Sequence, residues 1–248
     1  MKILHVDIET APNLAHVWSL WKQNVSLNQL MTPGYILCWA AKWDGGKELF
    51  FDSIHQSTQE EMLAGIHRLL DEADAVVTYN GVSFDLPTLN GEFAQVGMTP
   101  PSPYHNIDLY LVARRQFKFP SHKLEFVARA LGVGCKVKHE GHGLWVACMS
   151  GNDQAWQRME RYNRGDVRLQ ERVYRKILPW ITTHPNHALY TDDRRPCCPN
   201  CGGTKVIRQG TRTTRVQRYA RFQCKSCGAW SRDAKKDATS PPVPRRAA

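Results

Sequence analysis

Asp7-Ile8-Glu9 closes an otherwise apolar run, KILHVDIE. Residues two apart on a strand point to the same face, so the two carboxylates converge. Adjacent acids on a buried strand repel each other and cost desolvation, for which a divalent cation is the natural remedy; at an exposed strand end they would be incidental. A second acid, Asp85, ends Tyr79-Asn80-Gly81-Val82-Ser83-Phe84-Asp85. That segment follows a strand-like run and opens a helical one, where α/β folds gather ligands, although acids are also common as helix caps. A third, Asp166, lies four residues after Tyr162 in the helical stretch Tyr162-Asn163-Arg164-Gly165-Asp166, so the two share a face.

The C-terminal part carries different chemistry. Cys198-Pro-Asn-Cys201-Gly and Cys224-Lys-Ser-Cys227-Gly are two tight turns whose four thiolates suit tetrahedral Zn²⁺. Four protein ligands leave no open position, so that zinc is structural, and the segment reads as a zinc ribbon. Cys197 is a fifth candidate, but Cys198 fits the turn better. Crowded cysteines in a chain that meets a carboxylate too soon for a secretory signal argue for metal rather than disulfides. Between the pairs runs a basic, β-prone stretch in which Arg212, Arg215 and Arg218 are candidate phosphate contacts. Its aromatics, Tyr219, Phe222 and Trp230, could stack on bases, but packing the small module is the favoured reading.

The elements that must position these residues follow from pattern. Strands are predicted over 2–9, 35–43, 47–52 and 75–79, and helices over 57–72, 84–97, 108–117, 121–131 and 153–177. Strands first and then alternating α and β make an α/β domain with a mixed sheet over residues 1–190. A connector at 180–194 leads to the ribbon over 195–232, and 233–248 reads as a disordered basic tail.

The chain of 248 residues has a net charge of +10. Residues 191–248 hold 14 Lys/Arg against 4 Asp/Glu, whereas 1–190 hold 19 of each. A neutral body with a basic tail suits a polyanionic partner. No apolar run is long enough to span a membrane, and the expected location is the cytoplasm, the host's if the gene is phage-borne.

Taken together and in this order, the three acidic motifs resemble those of the DEDD superfamily of 3′→5′ exonucleases, with its ribonuclease-H-like fold. Tyr162 marks the tyrosine branch. The stretch Phe119-Pro120-Ser121-His122-Lys123-Leu124-Glu125-Phe126 is similar to one in phage-encoded relatives and in exonuclease domains of B-family polymerases. The resemblance, over about residues 1–178, implies Asp7, Glu9, Asp85 and Asp166 as ligands of two Mg²⁺ or Mn²⁺ ions. Asp7 would bridge them, Glu9 and Asp166 would serve the water-activating metal, and Asp85 the second. Tyr162 would orient the attacking water. Thr10, Asn80 and Phe84 join the ribbon arginines as candidate nucleic-acid contacts. The implied activity is a two-metal 3′→5′ exonuclease, with DNA favoured over RNA as substrate and the ribbon assisting binding or recruiting a protein partner. A ribonuclease-H-like endonuclease and a non-catalytic nucleic-acid-binding protein stay open as alternatives.

Several weaker signals are set aside. His139-Glu140-Gly141-His142 is one residue short of the helical zinc-protease motif, and its glycines read as a loop. Cys135 and Cys148 near it could chelate, but that loop context speaks against a metal there, and Gly45-Gly46-Lys47 lacks the rest of a phosphate loop. Trp18, Trp21, Trp39 and Trp43 are all read as core packing, and Asp108 as a helix cap.

Overall fold

A computed structural model describes residues 1–193 and 195–238. The chain divides into two compact units, Lys2–Tyr174 and a second formed by Arg175 onward together with Met1.

The first unit begins with β1 (Ile3–Thr10), a short ribbon of β2 (Leu14–Ala15) and β3 (Leu30–Thr32), then β4 (Ile36–Trp43) and β5 (Phe50–Ser53). There follow α1 (Gln59–Asp71), β6 (Ala75–Thr78), α2 (Asp85–Gln95), β7 (His105–Asp108), α3 (Leu109–Gln116), α4 (Leu124–Ala130), α5 (His142–Met149) and α6 (Asp153–Ile177), whose last residues belong to the second unit. The five-stranded mixed sheet runs β5-β4-β1-β6-β7, with β1 antiparallel to β4 and parallel to β6.

Side chains alternate across β1. Leu4, Val6 and Ile8 face one side and pack with Met62, Leu63 and Ile66 of α1 and Leu86, Leu89 and Phe93 of α2. His5, Asp7 and Glu9 face the other, which α6 covers. Helix α1 starts at a capping box in which Thr58 accepts from the Glu61 N–H and Glu61 reaches back. Trp39 fills the core and donates its indole N–H to the Met62 carbonyl at 2.8 Å.

Some expectations need correction. Trp18 and Trp21, expected in the core, are 97% and 80% exposed. They sit in the loop between β2 and β3, beyond the end of the sheet, where no second layer among the described residues covers them. Residues 142–149, read as a loop because of Gly141 and Gly143, form α5. Gly141 sits at the cap, and Leu144 and Cys148, one turn apart, bury against Ala155, Met159 and Tyr162; packing overrides the glycine propensity. Strand β7 was not anticipated, since His105-Asn106-Ile107-Asp108 carries little β signal and is held by parallel pairing to β6.

In the second unit, short 3₁₀ turns at Leu178–Trp180 and His187–Tyr190 precede an antiparallel sheet of β8 (Val206–Thr213), β9 (Arg218–Cys224) and β10 (Trp230–Arg232). Asn200 ties the start of this module by donating to the Leu178 and Ile181 carbonyls at 2.8 and 3.1 Å. Past β10, the Asp233 and Asp237 N–H groups bond to Ala220 and Arg218 of β9, so the segment stays on the sheet to at least 237. The rest of the expected tail, 239–248, lies outside the described residues.

Candidate active site and cysteine cluster

Parallel pairing of β1 with β6 stops at His5↔Val77. Beyond it the strands part, and Gln170 of α6 bridges the gap by donating to the Val77 and Val6 carbonyls at 2.7 and 3.4 Å. Asp7 and Glu9 lie at this C-terminal end of β1, beside a register irregularity between Glu9 and Thr10 opposite β4. Such bulges re-aim side chains and are frequent next to sites.

Four acids meet there. Carboxylate oxygens of Asp7, Glu9 and Asp166 all lie within 4.8 Å of one another. Asp85 stands outside that trio, at the start of α2, where its Oδ1 accepts the Ile8 N–H at 3.1 Å. It is held there by the turn after β6. Asn80 takes a left-handed conformation with φ of 71°, which asparagine tolerates. Gly81 follows because a Cβ at that position would run into the Thr78 side chain. Asp108 caps α3 as expected, and also accepts the Asn80 and Val82 N–H groups at 2.9 and 3.2 Å, which pins the turn.

The charges are poorly compensated. Desolvation, then Asp166, Glu9 and Asp85, push Asp7 well above the ordinary carboxylate range. Desolvation and Asp166 raise Glu9 to about 8. Desolvation raises Asp85 to about 7 against the pull of the Ile8 N–H. Asp166 is raised by its burial, with Lys136 opposing. Its Oδ1 is buried without a hydrogen-bond partner, which costs free energy unless a cation takes that oxygen. An all-oxygen set with an orphaned buried lone pair fits a hard divalent ion.

Lys136 lies outside every motif, and Asn163 inside the Tyr162–Asp166 segment reads from sequence only as a spacer. Lys136 Nζ lies 2.5 Å from Asp166 Oδ2 and donates to the Tyr162 hydroxyl at 2.9 Å. Burial disfavours its charge, but Asp166 outweighs this and holds the ammonium above the usual lysine value. Gly165 leaves room for the neighbouring Val137, whose Cγ2 would stand 2.8 Å from a Cβ there. Asn163, fully buried on α6, donates to Asp7 Oδ2 at 2.6 Å. Tyr162 is buried against Trp145 and His139, and desolvation and Asp166 hold its phenol protonated well beyond neutrality. Thr10 and Asn80 are half-buried and Phe84 exposed at the same end of the sheet.

In the second unit the four expected sulfurs gather within 4.8 Å of one another. Cys198 and Cys227 stand 3.6 Å apart and Cys201 and Cys224 3.7 Å. A zinc tetrahedron with ~2.3 Å bonds has S···S edges of about 3.8 Å, whereas a disulfide needs about 2.05 Å. Gly203 and Ser226 point backbone N–H groups at Cys201 and Cys224. Burial raises Cys198 to about 11, whereas at Cys224 burial is opposed by the Cys227 and Ser226 backbone N–H groups together with the Cys201 and Cys227 thiols, which bring it down to about 7. Cys197 is outside the cluster. Of the ribbon arginines, Arg212 and Arg215 are exposed, and Arg218 lies 3.5 Å from Asp237. The aromatics are only partly packed: Arg221 lies over Trp230 and Arg232 over Tyr219.

This arrangement of sheet and acids is that of a ribonuclease-H-like nuclease domain. The sequence model of the RNase_H superfamily matches residues 33–178, more than half of the chain, and the chain belongs to that superfamily. It is 26% identical over 146 residues to a DNA polymerase of Pyrococcus glycovorans, a match covering 50% of this chain and 19% of that protein. In fold it is similar to the family B DNA polymerase of the archaeon Pyrobaculum calidifontis, with a TM-score of 0.54 and 20% identity over 72% of this chain and 24% of the polymerase. The chain thus spans about a fifth to a quarter of the polymerases it matches. Among the described residues no helix is long and apolar enough to cross a membrane.

Proposed function

We propose that this protein is a divalent-metal-dependent 3′→5′ exonuclease that removes nucleotides from the 3′ end of a nucleic acid, DNA in preference to RNA. The observation that carries the reading is the convergence of Asp7, Glu9 and Asp166, with Asp85 alongside, in the crevice where β1 and β6 part. The polymerase relatives support a nucleic-acid substrate, and the ordered set of four acids with Tyr162 supports attack at a strand end.

Asp7, Glu9 and Asp166 would hold one Mg²⁺ or Mn²⁺ ion, and Asp7 with Asp85 a second. Such a pair supplies a nucleophilic water at neutral pH and neutralises charge on the attacked phosphate. The chain's own groups do the positioning. Asn163 fixes one Asp7 oxygen and so orients the carboxylate. Tyr162 accepts from Lys136 and stands beside Asp166, so its hydroxyl is held where it would orient the attacking water. Lys136 adds a fixed positive charge beside the position where phosphate charge builds. Phe84 would stack on the terminal base, with Thr10 and Asn80 as polar contacts at the same rim. Cys198, Cys201, Cys224 and Cys227 would hold one structural zinc, and Arg212 and Arg215 would meet phosphates; Arg218 would do so only by exchanging Asp237 for phosphate.

The test is release of mononucleotides from 3′-labelled linear and circular single strands, with Mg²⁺ or Mn²⁺ and with chelator. Metal-dependent release from the linear strand alone is expected. Cuts within the circle would instead support the endonuclease reading.

A further inference from the structure

The ribbon that leaves β1 straight after the acids has no part in the chemistry above. We propose that this ribbon, with Trp18 and Trp21 at its tip, is a stacking platform for unpaired bases of the substrate strand upstream of its 3′ terminus. The proposal rests on the exonuclease reading, which puts that terminus at the acid cluster.

Continuity comes first. The β1–β4 ladder ends at Thr10↔Ile36, yet the two chains stay together. Ala11 N–H donates to the Tyr35 carbonyl at 2.8 Å and Gly34 N–H to Asn13 Oδ1 at 2.7 Å. Leu14 then pairs with Thr32 and Ala15 with Leu30, and His16 N–H donates to the Gln29 carbonyl at 2.9 Å. Strand β1 and its neighbour β4 therefore run on as a ribbon from the end of the sheet that carries Asp7 and Glu9. Six residues separate Glu9 from Ala15, about 20 Å at ~3.3 Å per residue, or about six nucleotides at 3.4 Å per stacked base.

The tip is locally ordered. Ser19 Oγ accepts the Trp21 N–H and donates to the Trp21 carbonyl, and Ser26 forms a capping box with Gln29. Its apolar side chains are nonetheless in water: Trp18 is 97%, Leu20 83% and Trp21 80% exposed. Two indoles and a leucine within four residues, held open by their own turn, mark a recognition surface.

Charge chooses the occupant. Residues 10–43 contain no Asp or Glu, in a chain with 23 of them. The other acid-free run of this length is 194–232, the basic zinc ribbon. Lys22 stands beside Trp21. A strand of phosphates can follow this ribbon without meeting a carboxylate of the ribbon itself, since Glu92, which accepts the Ile36 N–H at its base, is buried, and its unpaired bases find faces to stack on.

The test compares the full chain with its Trp18→Ala/Trp21→Ala variant on three substrates: a 20-residue oligothymidylate, a trithymidylate, and p-nitrophenyl thymidine 5′-monophosphate. Stacking magnitudes imply a rise of about tenfold or more in KM on the 20-mer with kcat unchanged. The trinucleotide and the ester, too short to reach the tip, should be hydrolysed as by the wild type, and Trp18→Phe/Trp21→Phe should restore the 20-mer. An unchanged KM on the 20-mer, or an equal loss on all three substrates, overturns the platform. So does sedimentation showing that the wild type is a dimer and the alanine variant a monomer, since the tip would then be covered by a second copy. Binding of the 20-mer by fluorescence anisotropy with Ca²⁺ in place of Mg²⁺ separates the two readings. If the wild type hydrolyses none of the substrates the exonuclease reading fails, and a tenfold loss of binding in the variant, or its absence, still decides the platform.

Discussion

Lys136 Nζ stands 2.5 Å from Asp166 Oδ2, an ion pair set inside a cluster that otherwise has only carboxylates to offer a cation. The ammonium therefore does two things. It offsets one negative charge in the metal-free protein, and it competes for a proposed metal ligand. Lys136→Met should bind Mn²⁺ more tightly in a calorimetric titration, because that competition is gone. Turnover should fall by about 10²-fold or more, since Tyr162 loses the donor that orients its hydroxyl. Weaker Mn²⁺ binding with wild-type turnover would remove Lys136 from the site.

Asn163 acts one step further back. Its amide holds Asp7 Oδ2 at 2.6 Å from a fully buried position. Groups that orient metal ligands in this way cost about 10–100-fold in metal affinity when removed. Asn163→Leu should therefore show a reduced kcat with KM for the strand nearly unchanged. The loss should shrink as Mn²⁺ is raised, which a purely structural defect would not do. Thermal unfolding monitors the lost buried hydrogen bond, worth about 1–3 kcal/mol.

The raised acids make a prediction about pH. Ordinary carboxyls lose their protons near pH 4 in the unfolded chain, whereas in the folded, metal-free protein Glu9 does so at about 8 and Asp85 at about 7. The folded state then binds more protons across this window, so stability falls as pH rises through it and is greatest, for these groups, below pH 4. Protein prepared with Zn²⁺ and dialysed free of Mg²⁺ should show a melting temperature that declines from pH 5 to pH 8. Mn²⁺ should restore more stability at pH 8 than at pH 5. Asp7→Asn should abolish hydrolysis and flatten the decline, because it removes a buried carboxyl that the folded state keeps protonated and the unfolded chain does not. If Asp7→Asn lowered the pH 8 melting temperature, the burial of an ionising Asp7 would not be what destabilises the metal-free cluster.

How much of this was legible in the sequence differs residue by residue. Asp7 and Glu9 could be placed on one face because a strand's period of two is rigid, and the four cysteines because a metal tetrahedron demands close sulfurs. Lys136 could not be found, because it reaches the site from an irregular segment with no spacing rule. Its one trace was Gly165, a glycine inside a 25-residue helix, where it costs about 1 kcal/mol and calls for a close neighbour. Asp108 was legible as a cap but not as the anchor of the Asn80 turn, which depends on β7 lying beside β6. Trp18 and Trp21 misled because hydrophobicity implies burial only where another layer is available.

The cysteine cluster and the acids should be separable by metal and by salt. Four sulfurs at tetrahedral spacing predict about one zinc per chain by elemental analysis, lost in Cys198→Ser/Cys201→Ser. All the net charge lies after residue 190, and Arg212 and Arg215 stand exposed on that module. Replacing both arginines with alanine should leave hydrolysis of a small nucleotide ester untouched, because no acid is altered. Binding of a long strand should weaken, and its dependence on salt should flatten by about one to two units of log–log slope, one for each phosphate no longer neutralised. The measurement is a set of binding titrations between low and moderate salt for the wild type and the double variant. An unchanged slope with zinc still bound would mean that the basic sheet does not touch nucleic acid, and would point to a protein partner for the ribbon.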